Sequence, residues 1–211
     1  MDFRNKFSYH LIVALISISL VLVLFFSGIT LIRATAAVAF FLLFLTLTIG
    51  PIMRLWKPAS KVLPWNLPWS WRGELGIWFT IVSIVHISLI FSDRQWDIIG
   101  YLIGVRLSGV AGLVAIFFAI ILSVTSFGKV IKFLGIASWK WLHNFSYVIF
   151  YLVGAHVINH SFLRSGRPED WIHWSYLVLI FIIITLQVSA FVKNVIKYRK
   201  SLQVRDDEVS P

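Results

Sequence analysis

Long apolar runs alternate along the chain with short stretches where charges, prolines and tryptophans gather. Six runs stand out: about Tyr9 to Ser27, Ala34 to Met53, Leu75 to Phe91, Leu107 to Ser126, Trp141 to His160 and Trp171 to Val192. Each comes close to the roughly 20 apolar residues that a helix needs to cross the hydrocarbon core. The pattern predicts an all-α integral membrane bundle of six transmembrane helices over residues 1–192, followed by a short charged tail, residues 193–211. Pro58, Pro64 and Pro68 fall in the connection after the second run, where a helix cannot continue without losing backbone bonds. There is no internal repeat and no low-complexity tract.

The connections set the orientation. Fourteen of the 19 basic residues fall in one alternate set: Arg4 and Lys6; Arg54, Lys57, Lys61 and Arg72; Lys129, Lys132 and Lys140; and Lys193, Lys197, Arg199, Lys200 and Arg205. The other set holds Arg33, Arg94, Arg106, Arg164 and Arg167. Positive residues near span ends stay on the cytoplasmic side, so both termini are expected inside. The first run, preceded by Arg4 and Lys6 and followed by Ala34, Thr35 and Ala36, also fits a cleavable signal peptide. Its apolar core exceeds the about 7–15 residues of such signals, so it is read as a span.

Composition agrees: of 211 residues, 59% are hydrophobic and 13% charged, and the mean hydropathy is +0.86. A soluble domain is about 45–50% apolar and about 25% charged. Six spans leave no room for a second, soluble domain. Cysteine is absent, which excludes disulfides, iron–sulfur clusters, thiolate haem ligation and a cysteine nucleophile. The net charge of +10 borders the apolar runs instead of forming a stripe, so anionic lipid headgroups rather than nucleic acid are the expected counter-charge.

Ionisable groups inside hydrocarbon are costly and point to function. His10 and His173 lie near span ends, where an interfacial role suffices. If the third helix starts near Arg72, His86 lies 14 residues on, about 21 Å up the axis. If the fifth starts near Lys140, His156 lies 16 residues on, about 24 Å up. Two imidazoles at one level on two helices suit a planar cofactor, and bis-histidine ligation of b-type haem meets that demand. No CxxCH motif is present for covalent attachment.

His143 lies 13 residues before His156, which on an ideal helix leaves the two side chains some 140° apart. It is a candidate ligand of a second, inner haem, or a contact to a propionate or quinone, or an interfacial histidine. The matching inner position on the third helix is Arg72 or Gly73, not histidine. His156 and His160 share a face at the i, i+4 spacing of a metal site, but no Asp, Glu or Cys inside the spans completes a shell; His160 alone is expected at the outer rim.

Carboxylates offer little chemistry. Glu74 sits beside Arg72 at the inner end of the third run as an expected boundary ion pair, and Asp93 and Asp97 lie outside. No acidic pair suits acid–base catalysis, and no phosphate-binding Gly-rich loop is present. Trp65, Trp69, Trp71, Trp139, Trp141, Trp171 and Trp174 fit interfacial belts. Gly104, Ser108 and Gly112 make a small-residue stripe that reads as a packing signal.

Several motifs belong together. Arg106 precedes Gly112 by six residues; Thr125-Ser126 and a short basic loop follow; then come Leu142-His143-Asn144-Phe145 with Tyr147, and His156; Ile84-Val85-His86 lies in the third run. This pattern, over about residues 30 to 165, resembles the ferric-reductase-like transmembrane domain. Within that family it is most similar to the haem-binding membrane subunits of bacterial periplasmic methionine-sulfoxide reductase systems. The resemblance implies b-type haem, one or two, on His86, His143 and His156, with Arg72 and Arg106 as further cofactor contacts. It also implies electron transfer across the plasma (inner) membrane, with FMN and quinol or a flavin reductase as donors and an extracytoplasmic redox protein as acceptor.

Two departures bear on this. The larger relatives carry a flavin and nicotinamide domain after the last helix, whereas fewer than twenty residues follow here, so a separate donor is expected. The family's Gly-Arg near the start of the second helix is replaced by Arg33-Ala34. Arg106 and Arg164 at the outer rim are expected to pair with propionates, dock a partner or snorkel to headgroups. The alternatives to an electron-transfer subunit are a ferric reductase component and a small transporter or scaffold that merely tolerates its histidines.

Overall fold

In the computed structural model, residues 3–56, 67–164 and 170–209 are described, and among them there is no strand. The helices are α1 (Phe3–Phe26), α2 (Leu31–Leu55), α3 (Leu67–Asp93), α4 (Ile98–Gly104), α5 (Leu107–Val124), α6 (Gly128–Leu134), α7 (Ile136–Leu142), α8 (Phe145–Ile158) and α9 (Trp171–Val209), with a π-helical stretch Asn159–Arg164 after α8. Six segments are long and apolar enough to cross a membrane, Ile136–Leu163 counting as one broken span. The protein is a multi-pass membrane bundle. Pro58, Pro64, Lys57, Lys61, Trp65 and Arg167 lie outside the described residues, as do the side chains of Arg4, Lys6, Trp69, Arg164, Lys200 and Arg205.

α2 is the hub. Of its most apolar window 61% is buried, against 17–28% for the other spans, and it packs on α1, α3, α8 and α9. Lipid tails are as apolar as leucine, so such helices associate by close packing rather than by escape from water. The run Ala34, Thr35, Ala36, Ala37 and Ala39 supplies the small side chains that permit it. The remaining strong pair is α5 on α8. One core cluster draws Val13, Leu42, Phe79, Ala119, Phe150 and Ile183 from six different helices. The outer surface is oily: Phe26, Phe117, Phe181 and Phe191 are all largely exposed, which suits contact with acyl chains.

Three boundaries differ from those the sequence suggests. α3 begins at Leu67, with Pro68 in its first turn, where the missing N–H costs no helical bond. The fifth span is broken: α7 ends at Leu142, His143 and Asn144 form a turn, and α8 starts at Phe145. The tail is not separate, because α9 runs 39 residues, and no Gly or Pro lies between Trp171 and Val209 to stop it.

Candidate functional site

His86 on α3 and His156 on α8 line one cavity of about 400 Å³, within the range of about 300–1,000 Å³ typical of small-molecule sites. Its deep wall is apolar or small: Ala39 and Phe40 from α2, Phe79 and Ser83 from α3, Gly112 and Ala115 from α5, Val153 from α8.

Each imidazole is oriented by a neighbouring helix. His86 Nδ1 lies 3.0 Å from the carbonyl oxygen of Ile32, and Thr35 Oγ1 is 3.5 Å from the same nitrogen. His156 Nδ1 lies 2.7 Å from the carbonyl oxygen of Ser108. A carbonyl only accepts, so in both rings Nδ1 carries the proton and donates it, and Nε2 keeps its lone pair. A backbone carbonyl on the remote nitrogen is how proteins fix the tautomer and direction of a metal-binding histidine.

The small-residue stripe is broken, because Gly104 ends α4 and only Ser108 and Gly112 lie on α5, and Gly112 there is more than a packing signal. A Cβ on Gly112 would stand 3.2 Å from His156 Nδ1 and 3.4 Å from its Cε1. Glycine at 112 lets the ring lie flat against α5, and Ser108, one turn earlier, supplies the accepting carbonyl.

The mouth of the cavity is polar. Arg33, Asp93, Arg94, Arg106, Tyr101 and His160 line it, while His173 and Tyr176 line the cavity from buried positions. Arg106 is exposed at the residue preceding α5, and the Arg94 guanidinium lies 5.2 Å from the Tyr101 ring centroid. Arg33 on α2 pairs with Asp170 and reaches to 3.5 Å from His173 Nε2. Asp170 Oδ1 also accepts from the backbone N–H of Ile172 and of His173, capping α9. Asp170→Ala removes both the cap and the ion pair. Together these are worth about 1–2 kcal/mol, so thermal unfolding in detergent is expected at lower temperature, whereas Asp93→Ala, on an exposed position, is expected to leave it unchanged.

His143 is elsewhere. It sits in the turn between α7 and α8, its ring 4.3 Å from that of Trp139 and its Nε2 3.4 Å from Thr125 Oγ1. Thr125 directs its own hydroxyl to Ile121 or Leu122 carbonyls, so it accepts from Nε2–H, and the free lone pair of this ring is on Nδ1. Arg72 is within electrostatic reach of His143 and Tyr147. Neither His143 nor Arg72 lines the cavity of His86 and His156. Glu74 is buried, and no ion pair joins it to Arg72: two positions along a helix turn the side chains about 200° apart. Its Oε2 and the indole nitrogens of Trp71, Trp78 and Trp139 are buried without partners, so Trp71 and Trp139 are not simple headgroup anchors. Trp141, Trp171 and Trp174 are exposed, as belt residues are.

Neither a protein-family model nor a curated protein matches this chain. The resemblance therefore rests on the motif residues of the sequence alone.

Among the described residues, no three His, Cys, Asp or Glu side chains gather as a metal shell. His160 is exposed at the cavity mouth, with its ring 6.3 Å from that of His156. His173 departs from the interfacial role that its position suggests: it is only 8% exposed. Sequence reasoning took Arg33 as a charge and as a departure from the family's Gly-Arg, and passed over Asp170. Opposite charges at the starts of the second and sixth spans were the signal that could have found the pair.

Proposed function

We propose that the protein is a membrane b-type cytochrome. On this reading it carries electrons from a cytoplasmic-side donor, a quinol or a flavin reductase, to an extracytoplasmic acceptor such as a periplasmic sulfoxide reductase. One observation carries the proposal: two imidazoles from different spans line the same cavity, each with Nδ1–H bound to a backbone carbonyl and Nε2 left to bind. That donor set suits b-type haem, which when bound would supply reversible one-electron transfer. His86 and His156 would hold it. The carbonyls of Ile32 and Ser108 keep both rings from turning, the apolar wall excludes water, and Arg94 and Arg106 offer cations to carboxylates such as propionates.

His143 and Arg72, within electrostatic reach of each other and outside the cavity of His86 and His156, would contact a second haem, FMN or quinol toward the other end of the spans. The bias of basic residues favours the plasma (inner) membrane with both termini inside. Membranes of cells expressing the chain are expected to give a reduced-minus-oxidised spectrum with a b-type haem band. A spectrum identical to that of membranes lacking the chain contradicts the reading. A reporter fused at the carboxyl end is expected to be active in the cytoplasm, and activity only outside would reverse the orientation.

A further inference from the structure

The segment between the third and fourth spans does not behave as an aqueous loop. After α3 the chain turns through Gln95 and Trp96, both with left-handed φ of 54° and 61°, into α4, whose sequence is IIGYLIG. Asp97 caps it through Gly100 N at 2.8 Å. Tyr101 packs edge-on against Phe91, with ring centroids 5.3 Å apart, and with Gly104 it lines the cavity. The other side of α4 is bare. Ile99 and Ile103 are 73% and 82% exposed, and Leu102 and Leu107 join them. In water this is an unusual arrangement for a seven-residue helix with so few partners.

Span length settles what lies against that face. α5 has 18 residues, about 27 Å at 1.5 Å per residue, which is shorter than the roughly 30 Å hydrocarbon core. Leu107, its first residue, shares a stripe with the exposed Val110, Val114 and Phe117, so it faces acyl chains at the edge of the core. Only Val105 and Arg106 separate it from Gly104, three residue steps that span at most about 11 Å. The headgroup layer is itself about 5–7 Å deep on each side. α5 falls about 3 Å short of the core, so even a fully extended connection brings the end of α4 only to the level of the headgroups, not out into bulk water. Trp96, 59% exposed at its start, is the residue type that anchors at this level.

We propose that α4 is an interfacial helix whose Ile99, Leu102 and Ile103 insert into the boundary between headgroups and acyl chains, so that lipid, not a protein partner, covers this face. The helix then forms a cavity wall with Tyr101 and Gly104 on one side and lipid on the other. This inference does not depend on what the cavity binds.

The absence of native cysteine makes the test direct. Ile99→Cys and Ile103→Cys are labelled with a nitroxide in the full chain, reconstituted in phosphatidylethanolamine and phosphatidylglycerol vesicles. Collision with oxygen is compared with collision with a water-soluble nickel chelate. Phe117→Cys is the acyl-chain reference and Lys129→Cys the aqueous one. Labels at 99 and 103 are expected to meet oxygen several-fold more than nickel, as at 117. Nickel collisions matching those at 129 overturn the proposal, and so does protection from both reagents, which means protein cover. If either variant fails to fold, Leu102→Cys gives the same reading.

Discussion

His86→Ala and His156→Ala are each expected to abolish the b-type haem band, while the chain continues to accumulate in the membrane. That is the largest effect expected of any single change. Each residue lines the cavity, with its Nδ1 committed to Ile32 or Ser108, which leaves Nε2 as the nitrogen available to a ligand. Alanine leaves no donor on that wall, and the nearby residues Phe79, Val153 and Ala115 have no nitrogen to offer. His160→Ala and His10→Ala are expected to keep the band, because His160 sits at the exposed mouth and His10 does not line the cavity. Loss of colour in all four variants, or in neither cavity variant, would contradict the assignment. The check is the spectrum of membranes normalised to chain content by immunoblot.

Gly112→Val is the second. Alanine alone brings a Cβ to 3.2 Å from His156 Nδ1, so the ring must give by a few tenths of an ångström. Valine adds two more methyl groups in a helix where its χ1 is nearly fixed, so they cannot swing aside. The ring is pushed away from α5 and from the Ser108 carbonyl that holds its tautomer. Disturbing a partner of this kind typically costs about 10–100-fold in metal affinity. The haem content of purified Gly112→Val is therefore expected to fall at least about tenfold, with Gly112→Ala in between. Gly154→Ala is the control. A Cβ there meets only Ile180 Cδ1 at 3.8 Å, an ordinary contact, and full haem content is expected. Equal loss in both glycine variants points to bundle packing instead of a seat for His156.

The bundle was legible because each span is a long, uninterrupted apolar run, and length and hydropathy suffice to find such runs. Breaks inside spans were less so. Nothing in the composition of Lys140 to Phe145 marks the turn at His143 and Asn144, since neither Gly nor Pro is present there. That turn removes the ideal-helix angle between His143 and His156 as a constraint, since the two no longer share one regular helix.

The site was half legible. A histidine in an apolar run announces itself, and counting along helices brought His86 and His156 to similar depth. The carbonyls that orient them carry no signal in side-chain sequence, because any residue can supply a carbonyl. Gly112 was visible as a small residue, but its contact with an imidazole depends on how α8 lies against α5. The link of Arg33 with Asp170 joins positions 137 apart in sequence, which only the packing of α9 on α2 brings together.

Electron paramagnetic resonance of the purified, oxidised protein tests the central claim most directly. Two imidazoles on one iron predict a low-spin ferric signal, with haem at a minimum of one per chain, and its loss in His86→Ala and in His156→Ala. A colourless preparation contradicts the account. So does a high-spin signal from iron bound on one side only.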